Sequence, residues 1–87
     1  MVVKVVATEF HFAVSPRSVR QGSVTFAITN HGKLPHVFRI NNRSTGLIAG
    51  GHTASLTVTF AKPGRYPYYC AISGHADAGM KGTLTVN

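Results

Sequence analysis

The feature that most constrains the fold is a period-two alternation of apolar and polar residues, repeated in short segments along the chain. Val3, Val5 and Ala7 alternate with Lys4; Phe10, Phe12 and Val14 alternate with His11; Val24, Phe26 and Ile28 sit between Thr25, Ala27 and Thr29. The same rhythm returns in His36, Phe38 and Ile40, in Leu56, Val58 and Phe60, in Tyr66, Tyr68 and Cys70, and in Leu84 and Val86. Successive side chains of a strand point to opposite faces, so each set marks one buried face. No window carries a helical repeat. Turn signals separate the segments: residues 16–22, the run Asn30-His31-Gly32-Lys33, and Lys62-Pro63-Gly64. Residues 41–51 read as a long, polar, Gly-rich connection with a brief apolar Leu47-Ile48. Seven or eight short strands at this spacing predict an all-β antiparallel sandwich or barrel. With no repeat, linker or low-complexity stretch, residues 1–87 are expected to form one domain.

Composition narrows the function classes. A chain of 87 residues with 44% hydrophobic content supports a single core. No apolar run approaches the roughly 20 residues of a membrane helix. The opening VVKVVATEF reads as a strand and not as a signal peptide, so a mature form or an excised domain with a new start methionine is expected. The single cysteine, Cys70, excludes an internal disulfide, a zinc site built on several cysteines and a dinuclear site bridged by two thiolates. Nine Lys and Arg face only Glu9 and Asp77, for a net charge of +7. The basic residues are scattered singly, with neither the clustering nor the aromatic interleaving of a nucleic-acid surface, so an acidic protein partner, or simple solubility, is the better expectation. With two carboxylates, little stability should be lost to carboxylate protonation in moderate acid.

The stretch YPYYCAISGHADAGM holds Cys70, His75 and Met80 within eleven residues. Taken singly, the cysteine would be a buried hydrophobe, the methionine core filler and the histidine an ordinary loop residue. Together they offer a thiolate, an imidazole and a soft thioether, and two histidines, one cysteine and a weak axial methionine make a blue-copper set. Gly74 and Gly79 permit the unusual dihedrals that a tight curl needs, and Ala71, Ala76 and Ala78 keep the loop thin. Four histidines compete for the remaining place. His11 is out of phase with its apolar neighbours, and His31 and His52 lie in Gly-flanked turns. His36 shares a face with Phe38 and Ile40, points inward near one end of the sandwich, and is the favoured candidate.

The motifs PGRYPYYC, GH and GMKGTLTV resemble the C-terminal half of the cupredoxins, the plastocyanin, azurin and rusticyanin family. TNHGKLPHVFRI resembles the segment that carries their first copper histidine, and the likeness of pattern runs from TEFHFAVSP to the final strand. The C-x4-H-x4-M spacing is longer than the plastocyanin loop and is similar to the rusticyanin kind. The resemblance implies a small Greek-key β-sandwich binding one copper ion, with Cys70 as equatorial thiolate, His36 and His75 as imidazole ligands and Met80 as axial thioether. It implies a monomeric one-electron carrier, not an enzyme, extracytoplasmic (periplasmic or cell-surface) in a prokaryote, with a redox partner acidic at its docking surface. Leu34, Pro35, Ile72, Ala76 and Gly79 are the candidate apolar docking patch. Many cupredoxins place Asn directly after the first histidine; here Val37 stands there, so the thiolate is expected in a drier setting or bonded by another donor such as Ser73. Copper storage or delivery, and a module of a larger membrane-bound redox protein, are the alternatives. A multicopper oxidase is disfavoured because Tyr69 and Ala71, not histidines, flank Cys70, and a histidine-brace monooxygenase because the chain begins Met-Val.

Overall fold

The computed structural model describes all 87 residues, in nine strands: β1 (Val2–Thr8), β2 (His11–Ser15), β3 (Ser18–Val19), β4 (Gly22–Asn30), β5 (Phe38–Ile40), β6 (Arg43–Ser44), β7 (Thr53–Phe60), β8 (Gly64–Cys70) and β9 (Lys81–Val86). The count passes the expected seven or eight because β3 and β6 are two-residue pieces at sheet edges. One sheet has the order β2-β1-β4-β7 and the other β3-β9-β8-β5-β6. The sandwich is mainly antiparallel, as expected, with two parallel ladders, β1 with β4 and β3 with β9. The physical reason is the crossing: the chain leaves the first sheet after β2, joins the second through β3, and re-enters beside β1 in the same direction.

The two sheets face each other across one cluster of 19 buried hydrophobic residues. The alternating sets supply it as expected: Val3, Val5 and Ala7; Val24, Phe26 and Ile28; Phe38 and Ile40; Leu56, Val58 and Phe60; Tyr68 and Cys70; Leu84 and Val86. Phe38 lies at the centre of an aromatic group, with ring centroids 5.2 Å from Phe12, 5.2 Å from Phe26 and 5.5 Å from Tyr68. Burying an aromatic or aliphatic side chain of this size contributes about 1.5–3 kcal/mol. In register, Phe38 stands opposite Cys70, so this group is the floor beneath one pole of the sandwich.

Two local differences from the alternation bear on that pole. Phe10 precedes β2 and is 38% exposed, because Glu9-Phe10 forms the two-residue turn closing Thr8 against His11. The strand expected to begin at His36 begins at Phe38 instead; His36 is held by an isolated bridge to Ile48. Ile48 is buried while Leu47 is 73% exposed, so the brief apolar pair in the long connection splits between core and solvent.

Candidate metal centre

The ligand loop starts from backbone bonds that join both its ends. Cys70 N–H donates to the Met80 carbonyl at 3.0 Å, and Met80 N–H donates to the His75 carbonyl at 3.1 Å. Between them His75 N–H reaches the Ile72 carbonyl at 3.1 Å and Gly79 N–H the Ala76 carbonyl at 3.0 Å, so the loop is a series of turns wound on itself. Gly74 at φ +85° and Gly79 at φ +119° make the reversals, in a region where a side chain is strained. The curl anticipated from the glycines is present.

This winding brings three donor atoms together. His36 Nδ1 lies 3.3 Å from His75 Nδ1, and Cys70 Sγ lies 3.5 Å from His75 Nδ1. All three ligand atoms fall within 4.8 Å of one another. Bonds of about 2.0–2.3 Å from a common centre to N and S donors place those donors roughly 3.5–3.7 Å apart in a trigonal plane. The separations therefore fit one ion between two imidazoles and a thiolate, the donor types that suit copper. His36 and Cys70 are buried and His75 is half-buried. Met80 is fully buried beside them and is tied by its main chain to both Cys70 and His75. His11, His31 and His52 are exposed and take no part in this cluster.

The surroundings contain four contributors that the alternation alone did not reveal. First, Val37 N–H donates to Cys70 Sγ at 3.4 Å, so the hydrogen bond to the thiolate comes from the backbone of the very residue whose side chain cannot supply one. Ser73 is exposed and is not that donor. Second, Asn30 is fully buried: its Nδ2 donates to the Leu34 and Ile48 carbonyls at 2.9 and 2.8 Å, and its Oδ1 accepts from Gly32 N–H at 2.8 Å. Because Ile48 is also the bridge partner of His36, Asn30 fixes the segment carrying that histidine. Third, Phe10 packs edge-on against the His75 ring with centroids 5.0 Å apart.

The fourth is Glu9. Its Oε1 accepts from the Lys33 and Leu34 N–H groups, both at 2.7 Å, and lies 3.5 Å from His36 Nε2. The Leu34 bond, seconded by the Lys33 bond, holds the Glu9 carboxyl below its ordinary range against the opposing effect of partial burial. Burial lowers the pKa of His36, and charge on the adjacent His75 lowers it further, while Glu9 opposes both. Both Glu9 and Phe10 belong to the β1–β2 turn, so one tight turn touches both imidazoles. A sequence signal for Glu9 did exist: it is one of two acids in a chain of net charge +7.

Of the candidate docking patch, Leu34 is 43% exposed, Pro35 and Gly79 are exposed, and Ile72 and Ala76 are half-buried. Phe10 extends that patch beside His75. None of the molecule's surface cavities is lined by His36, Cys70 or His75.

Comparison with known proteins places the chain by family and by fold. A family model described as copper binding proteins, plastocyanin/azurin family, matches residues 36–87. Auracyanin-B of Chloroflexus aurantiacus is 48% identical over 42 residues, covering 48% of this chain and 18% of that protein. The copper-resistant cuproprotein CopI of Pseudomonas aeruginosa is 50% identical over 40 residues, covering 46% of this chain and 22% of that protein. Both matches thus span less than a quarter of the relative's own length. Among solved structures, auracyanin B superposes with a TM-score of 0.83 at 23% identity, over 99% of this chain and 88% of that one. Reduced auracyanin from Roseiflexus castenholzii gives 0.83 at 19% identity, over 99% and 96%. A chain of a heme-copper terminal oxidase dimer gives 0.77 at 20% identity, over 99% of this chain and 63% of that one. At these identities the structural likeness is one of fold.

Proposed function

The chain belongs to the copper-binding plastocyanin/azurin family, and from that premise we propose that it is a one-electron carrier whose copper is held by His36, Cys70, His75 and Met80. The observation that carries this reading is the convergence of His36 Nδ1, His75 Nδ1 and Cys70 Sγ at a buried pole that no surface cavity reaches. When bound there, copper supplies a Cu(II)/Cu(I) couple, taking one electron from a donor and passing it to an acceptor. The protein's part is to hold the donors in one arrangement. The wound loop fixes His75 and Met80 relative to Cys70, the Ile48 bridge fixes His36, and the Val37 N–H fixes the thiolate. The buried setting of His36, Cys70 and Met80 suits outer-sphere transfer, the chemistry of a carrier.

His75 is the half-buried member, and its ring lies against Phe10 in the exposed apolar patch, which makes this edge the route of electron entry and exit. Lys33 at the edge of that patch, on a chain whose net charge is +7 overall, suits a redox partner acidic at its docking surface. The reading includes residues 1–87 acting as one unit around a common core, in an extracytoplasmic setting, periplasmic or at the cell surface.

Copper titration followed by absorption tests it. The Cu(II) protein is expected to show an intense visible band that Cys70→Ser abolishes, together with a reversible one-electron wave. A colourless protein after copper addition would sink the assignment. A coloured protein that hands its copper rapidly to an acceptor would instead support storage or delivery.

A further inference from the structure

We infer that Glu9 is a positioning residue for the metal: its carboxylate takes the Nε2 proton of His36 in a hydrogen bond and thereby biases the site toward Cu(II). The inference rests on the copper reading given above. Its starting point is an unpaired atom. His36 Nε2 is buried and has no hydrogen-bond partner, and its approach to Glu9 Oε1 is 3.5 Å.

The proton count on the ring makes this contact consequential. His36 presents Nδ1 to the donor cluster, so metal binding requires that nitrogen to be bare. The one proton of the neutral ring must then sit on Nε2. A buried N–H without an acceptor is costly, and Glu9 Oε1 is the acceptor within reach, needing only a few tenths of an ångström of closure. A carboxylate on the far nitrogen of a metal-bound histidine fixes its tautomer and ring orientation and makes it a stronger donor.

The carboxylate itself is seated with care. Its Oε1 takes the Lys33 and Leu34 N–H groups at 2.7 Å each, on the turn that leads into His36. Gly32 provides the room: a Cβ there would collide with the Glu9 carboxylate, coming within 2.8 Å of both Cδ and Oε2. The β1–β2 turn is short, so the Thr8–His11 pair fixes the backbone from which the Glu9 side chain projects. A seat this specific, aimed at an orphaned ring nitrogen, is more than a loop brace.

Glu9→Gln separates the two roles, because the amide oxygen can still accept both backbone N–H groups while the negative charge is lost. The wild-type and variant proteins are compared by copper-loaded absorption spectrum, redox titration at fixed pH, and denaturation of the metal-free form. The variant is expected to keep its fold and colour while its preference for Cu(II) falls about tenfold, which raises the potential by about 59 mV. Asp77→Asn removes the same formal charge from an exposed position on the ligand loop and is expected to shift the potential much less.

An unchanged potential in Glu9→Gln, or an equal shift in Asp77→Asn, overturns the inference while leaving the copper site standing. A colourless wild type overturns the site itself. Should Glu9→Gln fail to fold, the wild-type Cu(I) form, which is diamagnetic, still decides the matter. A His36 Nε2–H resonance shifted downfield and protected from exchange supports the contact; a rapidly exchanging one refutes it.

Discussion

Asn30 shows how much of a metal centre depends on a residue with no claim to be a ligand. It is fully buried at the end of β4, and its side chain closes three hydrogen bonds between β4, the turn before His36 and the Ile48 segment. Ile48 O therefore receives both the Asn30 amide and the His36 N–H, the latter at 3.1 Å. Asn30→Ala takes these partners from the Leu34 carbonyl and the Gly32 N–H, leaves Ile48 O with the His36 N–H alone, and is expected to cost about 1–3 kcal/mol in denaturant unfolding of the metal-free protein. Copper affinity should fall with it, because the His36 bridge loses its brace. A variant within about 0.5 kcal/mol of wild type, the range of an ordinary surface change, would contradict this account. In the sequence Asn30 was legible only as the first residue of a turn. Nothing in N-H-G-K distinguishes a solvated turn asparagine from one that knits three segments, since its partners Leu34 and Ile48 are set by the fold. Cys70 and His75 were legible for the opposite reason: their chemistry is in the side chain and their proximity is in the chain.

At the scale of elements, strands were readable because period two is a property of each strand alone. Pairings were not, because the parallel ladders β1–β4 and β3–β9 depend on which sheet a segment joins after a crossing. The β1–β2 turn was unreadable in the same way, with Glu9 meeting Lys33 and Leu34 at separations of 24 and 25 residues. The β8–β9 ladder carries a device of its own: Tyr68 and Gly82 are direct partners, and the Tyr68 ring lies over the glycine. A Cβ on Gly82 would sit 2.5 Å from Tyr68 Cζ and 2.9 Å from Cε1, contacts that only displacement of the ring relieves. Tyr68 packs against Phe38 and Phe12 and lies two residues before Cys70, so displacing its ring toward the cavities it borders disturbs those contacts. Gly82→Ala is therefore expected to destabilise by about 1–3 kcal/mol through overpacking. For a domain of this size each kcal/mol lowers the melting temperature by roughly 4–8 °C. The visible band should shift as well, because strain at Tyr68 is passed along β8 to the thiolate. An unaltered melting temperature would mean that the ring is free to move.

For the whole molecule, the response to acid is where charge and site meet. Net charge is +7 with histidines neutral, and five histidines add positive charge as pH falls, so self-repulsion grows steadily. Glu9 and Asp77 are the only acidic side chains, and the Leu34 and Lys33 N–H groups hold the Glu9 carboxyl below its ordinary range. A carboxyl with a depressed folded pKa contributes stability above its unfolded value and loses it as pH drops through the folded one, so this part appears only below about pH 4.3. His36 acts earlier. Burial, then the charge of His75, lowers its pKa from the ordinary 6.5, so the unfolded chain binds a proton that the folded chain refuses. By linkage, stability of the metal-free protein is full above pH 6.5 and falls as pH drops below it toward the folded value. The urea midpoint of the metal-free protein is therefore expected to decline between pH 7 and 5, before Glu9 titrates. Self-repulsion predicts a decline too, but one that salt suppresses, since exposed charges are screened beyond about 10 Å at 0.1 M ionic strength. The cost of charging a buried ring is screened far less. A decline that persists in high salt, and disappears in His36→Gln, assigns it to the buried imidazole. A midpoint flat from pH 7 to 5 at any salt concentration would show that His36 takes up its proton as readily folded as unfolded.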